Sequence, residues 1–167
     1  AGMSTAARLR NTAVNVQITV IEPNSESVSY QPGQTLVGAG LWDKSDIIYN
    51  RDDFVPSDVT IIKEKAVKFD PKNNSLTTEG GKEVKYYGLV IAAGVKLNYG
   101  AIKGLEGAGE AYSLGDNRAL VSELNKVGAS SIYSADGAVA TWENMQKFVE
   151  DAKSGKKVRG VYTHPNT

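Results

Sequence analysis

The sequence predicts an open α/β fold on a mainly parallel sheet, and three observations carry that prediction. A helical run with Met3, Ala6, Ala7 and Leu9 on adjoining turns is followed by the β-branched stretch 16–23, which ends in Glu22 and Pro23. An unbroken apolar run over 89–93 stops at Gly94, as a strand buried on both faces does. Ala138, Val139, Trp142, Met145, Phe148, Val149 and Ala152 recur at helical spacing, which marks a helix over 137–154.

In chain order, the first helix has no strand or cap before it, and residues 16–23 read as a buried strand. The Ser/Asn/Gln/Pro/Gly-rich section 24–40 reads as an ordered functional loop. A short helix is expected around 43–49 and a strand over 59–62. Residues 66–70, 75–78 and 83–86, joined by Pro71-Lys72-Asn73-Asn74 and Glu79-Gly80-Gly81, form an antiparallel meander at about 66–86. It stands directly before the apolar strand 89–94. Gly100, Gly104, Gly107 and Gly109 suggest a mobile connection. Asp136 can cap the 137–154 helix and Gly155 can end it. Its Trp142, Met145, Phe148 and Val149 are expected to face a core. Residues 158–162 read as one more strand. The domain reading is a dinucleotide-binding segment over 1–108, then a connection, helix and first strand of a second such domain over 109–167.

Composition narrows the function. The chain has 167 residues, with 19 Lys plus Arg against 19 Asp plus Glu, a balance that argues against nucleic acid as a partner. No apolar run reaches the roughly 18–20 residues of a membrane span, and the first residues do not read as a signal peptide. The chain has no cysteine and a single histidine, His164, so thiolate chemistry and a histidine metal site are excluded within it. His164, beside Pro165, reads as no more than a lone surface histidine. Asp43, Asp46, Asp52 and Asp53 do not match a calcium loop and read as a solvated face. Lys153, Lys156, Lys157 and Arg159 complement the end of the last helix.

Two constellations carry chemistry. Gly2 at the start of the first helix, with Glu22 ending the next strand, has the order and spacing of a dinucleotide site. There the helix N-terminus receives a pyrophosphate and the acid accepts hydrogen bonds from ribose hydroxyls. The second is the strand ending Ile91-Ala92-Ala93-Gly94, whose small residues let backbone pass close to a cofactor. A solvated strand-terminal Glu and an ordinary buried strand are the plainer alternatives. The order helix, strand with Glu, meander, strand with Ala-Gly favours FAD over NAD.

The segments Ala6-Ala7-Arg8, Val20-Ile21-Glu22-Pro23, Tyr30-Gln31-Pro32, 35–40 and 91–94 carry a resemblance, together with Ile102-Lys103-Gly104-Leu105, Tyr133-Ser134, Thr141-Trp142 and Pro165-Asn166-Thr167. In these the chain resembles the sulfide:quinone oxidoreductases, mitochondrial and bacterial, of the flavoprotein disulfide-reductase-like superfamily. The resemblance implies a Rossmann-like FAD-binding domain with an inserted meander, incomplete at both ends. It implies FAD as cofactor, sulfide and quinone as substrates, and a parent protein at the membrane periphery. By the same resemblance Ala1 and Gly2 match the pyrophosphate turn and Glu22 the ribose-binding acid. Gln31 and Val67 match positions near the cofactor, and Ala93 and Gly94 the strand end that passes it.

The family's redox cysteines have no counterpart here, so the parent is expected to be the enzyme and this fragment not. A related flavoprotein (a flavocytochrome sulfide dehydrogenase or an NADH:quinone reductase) and a non-catalytic nucleotide-binding module are the alternatives. No first strand precedes the first helix, so the fragment is expected either to lack FAD or to fill the gap by pairing between chains as a homo-oligomer.

Overall fold

A computed structural model describes residues 2–12, 15–24 and 27–163. The chain divides into two compact units, one of residues 1–28 and 49–96, the other of 29–48 and 97–167. Ala1, His164 and Pro165-Asn166-Thr167 lie outside the described residues.

The first unit opens with α1 (Gly2–Thr12), whose last turn carries Arg10, a cation at the negative end of the helix dipole. The Arg10 guanidinium pairs with Asp58 just ahead of β4 (Thr60–Ile62). β1 (Thr19–Ile21) runs parallel to β4, with Val20 opposite Ile61 and Ile21 opposite Ile62. Backbone bonds extend this ladder at both ends: Thr60 N–H to the Ile18 carbonyl and Glu22 N–H to the Ile62 carbonyl, both 3.0 Å. Ala6, Ile18 and Ile62 are buried. The strand expected over 16–23 is therefore shorter, because only three of its residues find a partner.

The meander forms as the pattern predicts. β5 (Ala66–Asp70), β6 (Ser75–Thr78) and β7 (Glu83–Lys85) pair antiparallel, with Leu76 between Phe69 and Val84. The register slips between Ala66 and Lys68, a bulge that sets Val67 outward. In the first turn the Asp70 carboxylate accepts from the Asn73 side chain at 2.8 Å and from its backbone N–H at 3.2 Å.

The strand expected over 89–94 does not form. Val90 and Ile91 are 65% and 69% exposed, and among the described residues no strand pairs with them. An apolar strand is stable only where neighbours take up its backbone hydrogen bonds, and the ladder of β1 and β4 stops short of it.

In the second unit the expected loop over 24–40 contains a helix, α2 (Gln31–Gly38), with Pro32 in its first turn, where a missing N–H costs nothing. The 3₁₀ turn Lys44–Ile47 follows, in place of the longer helix expected at 43–49. Two short strands, β2 (Ser27–Ser29) and β3 (Ile48–Asn50), pair with each other; Ser29 and Ile48 belong to this unit and the rest of both strands to the first. Val37, Ile47, Ala135 and Ala138 form one core.

The expected mobile connection also proves helical. α3 (Glu106–Leu114) and α4 (Asn117–Lys126) enclose a second core of Ala108, Ala111, Leu120 and Leu124. Asp116 caps α4 by accepting from the N–H groups of Arg118 and Ala119.

The last helix, α5 (Ala135–Lys153), starts two residues before the expected boundary. Its cap is Ser134, whose hydroxyl accepts from Gly137 N–H at 3.0 Å, while Asp136 pairs with Lys44 at 2.5 Å. The core face of α5 is its N-terminal half, Gly137, Ala138 and Ala140. Trp142 and Val149, expected in a core, are exposed. The strand expected at 158–162 is absent; these residues pair with no strand, and Tyr162 reaches Met145 with its hydroxyl.

Candidate nucleotide-binding site

The chemistry-bearing residues of the first unit sit at the end of the parallel ladder. Glu22 follows β1, its backbone N–H held by Ile62 at 3.0 Å. Its carboxylate Oε1 accepts from Asn24 N–H at 2.8 Å, which folds the chain back over the strand end. The Nη1 of Arg51 stands 4.0 Å from the same oxygen. Arg51 opens the 3₁₀ turn Arg51–Phe54, which Asn50 caps by accepting from Asp52 N–H at 3.2 Å. The guanidinium is buried and the Glu22 carboxylate is half-exposed. Among the described residues the hydrogen bond and the ion pair of the carboxylate both fall on Oε1, and the side chain is 36% exposed. Such a carboxylate can accept hydrogen bonds from a ligand's hydroxyls.

Gly2 is the first residue of α1, which contacts β1. A Cβ built at Gly2 would meet the Cβ of Ala92 at 3.5 Å, so the helix N-terminus and the Ala92-Ala93-Gly94 segment approach one another. Gly94 adopts φ +75°, a left-handed conformation that turns the chain away after Ala93. The open N–H groups at a helix N-terminus suit an anion, and the small residues beside them leave it room.

The structure thus brings Gly2 beside the 92–94 segment and fixes Glu22 at the strand end. Val67 is 58% exposed at the bulge of β5, in the same unit. Gln31, at the start of α2, belongs to the other unit and is exposed there. Ala1 lies outside the described residues. Sequence reasoning missed Arg51 and Asn24. Asn24 carried a signal, a short polar side chain two places after a strand-terminal acid. Arg51 carried none.

Both the parallel pair with its crossover elements and the inserted meander belong to the α/β fold of FAD/NAD(P)-binding proteins. No family model matches the chain. The mitochondrial sulfide:quinone oxidoreductase of Dictyostelium discoideum is 32% identical over 167 residues, 99% of this chain and 32% of that protein. The mouse mitochondrial sulfide:quinone oxidoreductase is 32% identical over 166 residues, again 99% of this chain and 32% of the relative. The solved sulfide:quinone oxidoreductase from the hyperthermophilic bacterium Aquifex aeolicus superposes with a TM-score of 0.62 at 27% identity, over 89% of this chain and 30% of that one.

The chain belongs to the sulfide:quinone oxidoreductase family, and it spans about a third of the length of the curated relatives it matches. Those relatives are named as oxidoreductases. Among the described residues no helix is long and apolar enough to cross a membrane.

Proposed function

We propose that this chain supplies the adenosine-side part of an FAD site in a sulfide:quinone oxidoreductase that works at the periphery of a bacterial or mitochondrial inner membrane. Glu22 accepts hydrogen bonds from the adenosine ribose, and the N-terminus of α1 at Gly2 faces the pyrophosphate, with Ala93 and Gly94 giving it clearance. Val67 lies near the cofactor. The single observation that carries this reading is the Glu22 carboxylate, anchored through one oxygen at the end of a parallel strand.

The groups present fit the adenosine end of FAD: a part-exposed carboxylate for hydroxyls and a helix N-terminus for phosphate, with small residues beside it. FAD, when bound, supplies the electron-accepting ring. What these residues do is bind and orient its nucleotide end. Sulfide oxidation also needs a sulfur acceptor, and a chain with no cysteine has no thiolate for that role. We therefore assign the sulfur and quinone chemistry to residues outside this sequence, and catalytic activity to the parent protein.

The test is titration of the purified chain with FAD and with ADP by calorimetry. Both should bind, and Glu22→Ala should weaken ADP by about tenfold, the loss of one charged hydrogen bond. Unchanged ADP affinity in that variant would remove the ribose-binding role from Glu22.

A further inference from the structure

We propose that residues 88–93 pair, antiparallel about a two-fold axis, with the same residues of a second copy of this chain. Every residue from Tyr87 to Val95 is exposed, Val90 by 65% and Ile91 by 69%. Among the described residues, none of the N–H or carbonyl groups of this segment enters a ladder or any other backbone hydrogen bond. The segment carries no charge and no proline, and its Leu89, Val90 and Ile91 favour a strand. Backbone of this kind, left uncharged and unpaired at the surface, recruits another strand.

The order of side chains selects the same segment as its partner. With the axis at Ile91, Ile91 stands opposite itself, Val90 opposite Ala92, Leu89 opposite Ala93 and Gly88 opposite Gly94. Away from the axis each large side chain thus meets a small one, and cross-strand neighbours pack without collision. Gly94, at φ +75°, turns each strand away where the partner's begins at Gly88. In this register Lys96 falls opposite Tyr86 and Lys85 opposite Leu97, so the flanking lysines do not face each other.

A parallel, in-register pairing would set Lys85 on Lys85 and Lys96 on Lys96, and it could add chains without end. The two-fold arrangement closes after two. The chain's 19 basic and 19 acidic residues leave no net repulsion between copies. The ribbon is short and buries less than the roughly 1,200 Å² of a stable interface, so the dimer comes apart on dilution.

Sedimentation velocity on the full chain, from low to high micromolar concentration, should show a reversible passage from monomer to dimer. Ile91→Lys sets like charges opposite each other at the axis and should raise the dissociation constant by about tenfold. Ile91 is largely exposed, so the core is untouched; circular dichroism checks the fold, and Val90→Lys serves if Ile91→Lys fails that check. The chain has no cysteine, so introduced ones report the register. Ile91→Cys should cross-link to itself on oxidation, because directly opposed Cβ atoms lie about 4.5–5.5 Å apart. Leu89→Cys and Ala93→Cys should each fail to cross-link alone and should cross-link when mixed.

A chain that stays monomeric throughout the range overturns the proposal. A dimer unmoved by the lysine variants lies elsewhere on the surface and overturns it too. Growth beyond the dimer, or equal cross-linking by all three cysteines alone, would show unspecific aggregation and overturn the paired register.

Discussion

Replacing Gly40 with alanine tests the packing of α2 on α5 at a point where the cost divides into two parts. Gly40 follows α2 with φ +70°, and a Cβ there would meet the indole of Trp142 at 2.3–2.6 Å. Gly128 has nearly the same conformation, φ +68°, with nothing within 4 Å of its Cβ position. Holding alanine in the left-handed region costs about 1–2 kcal/mol. The stiffer unfolded chain returns about 0.4–1 kcal/mol of that. Gly128→Ala should therefore cost roughly 1 kcal/mol or less.

Gly40→Ala carries the same backbone cost plus displacement of the Trp142 ring, about 1–3 kcal/mol for forced overpacking. Trp142 is 37% exposed, so the ring has somewhere to move and the extra cost should fall near the middle of that range. The readout is urea unfolding followed by tryptophan fluorescence and by circular dichroism. With a slope of about 1–3 kcal/mol per molar, the two midpoints should differ by roughly 1 M. In a Trp142→Ala background the Gly40→Ala cost should fall to that of Gly128→Ala, the non-additivity of a direct contact. Equal midpoints for Gly40→Ala and Gly128→Ala in the wild-type background would refute the contact.

Two further outcomes follow from the same structure. Leu124 is buried against Ala108, Ala111 and Leu120, so Leu124→Ala should cost about 2–5 kcal/mol in urea unfolding; a cost under 1 kcal/mol would mean that α3 and α4 are not packed as described. Acid should destabilise the fold: the Thr78 hydroxyl and Gly80 N–H hold Glu64 below its ordinary value, Asn73 does so for Asp70, Gly104 N–H for Glu106, and Lys156 with Lys147 for Asp151. A lowered carboxylate pKa contributes stability above its unfolded value and loses it as pH falls through the folded one, so melting temperature should hold from neutral pH to about 5 and decline below about 4. These groups are exposed and each effect is small; a melting temperature that rises on acidification would contradict the assignments.

What the sequence showed of the fold follows from which signals are local. α1, the meander and α5 rest on periodicity and turn chemistry, and all three form. The helices α2 and α3 were hidden by their glycines, which read as loop. Gly33 in α2 stands where a Cβ would meet Ile47 Cγ2 at 2.5 Å, and Gly109 in α3 where it would meet Gly100 N at 2.6 Å. In both, glycine permits a close approach by another segment. A sequence shows that a glycine is present but not what passes beside it. The start of α5 was blurred because Ser134 and Asp136 are both good caps two places apart. The place of Glu22 at a strand end was legible because an acid ending a β-branched run is a local pattern. Arg51 was not, because only tertiary burial distinguishes it from the solvated charges at Asp52 and Asp53.

The two sides of the proposed site are held with different firmness, and this bears on how a nucleotide would bind. Glu22 is fixed by the parallel ladder, by Ile62 and by Asn24, all within hydrogen-bonding distance, and none of these depends on residues 89–94. On the opposite side Gly2 nears Ala92, close enough that a Cβ added at Gly2 would meet the Ala92 Cβ at 3.5 Å, and the 89–94 segment has no ladder bonds among the described residues. On the proposed reading a ribose would meet a preorganised acceptor, whereas a pyrophosphate would meet a segment held by fewer backbone hydrogen bonds. Ordering costs about 1–2 kcal/mol of backbone entropy for each residue fixed. If the proposed site holds, the ribose side would supply the larger share of specificity, and affinity at the phosphate side would depend on how well the 92–94 segment is supported.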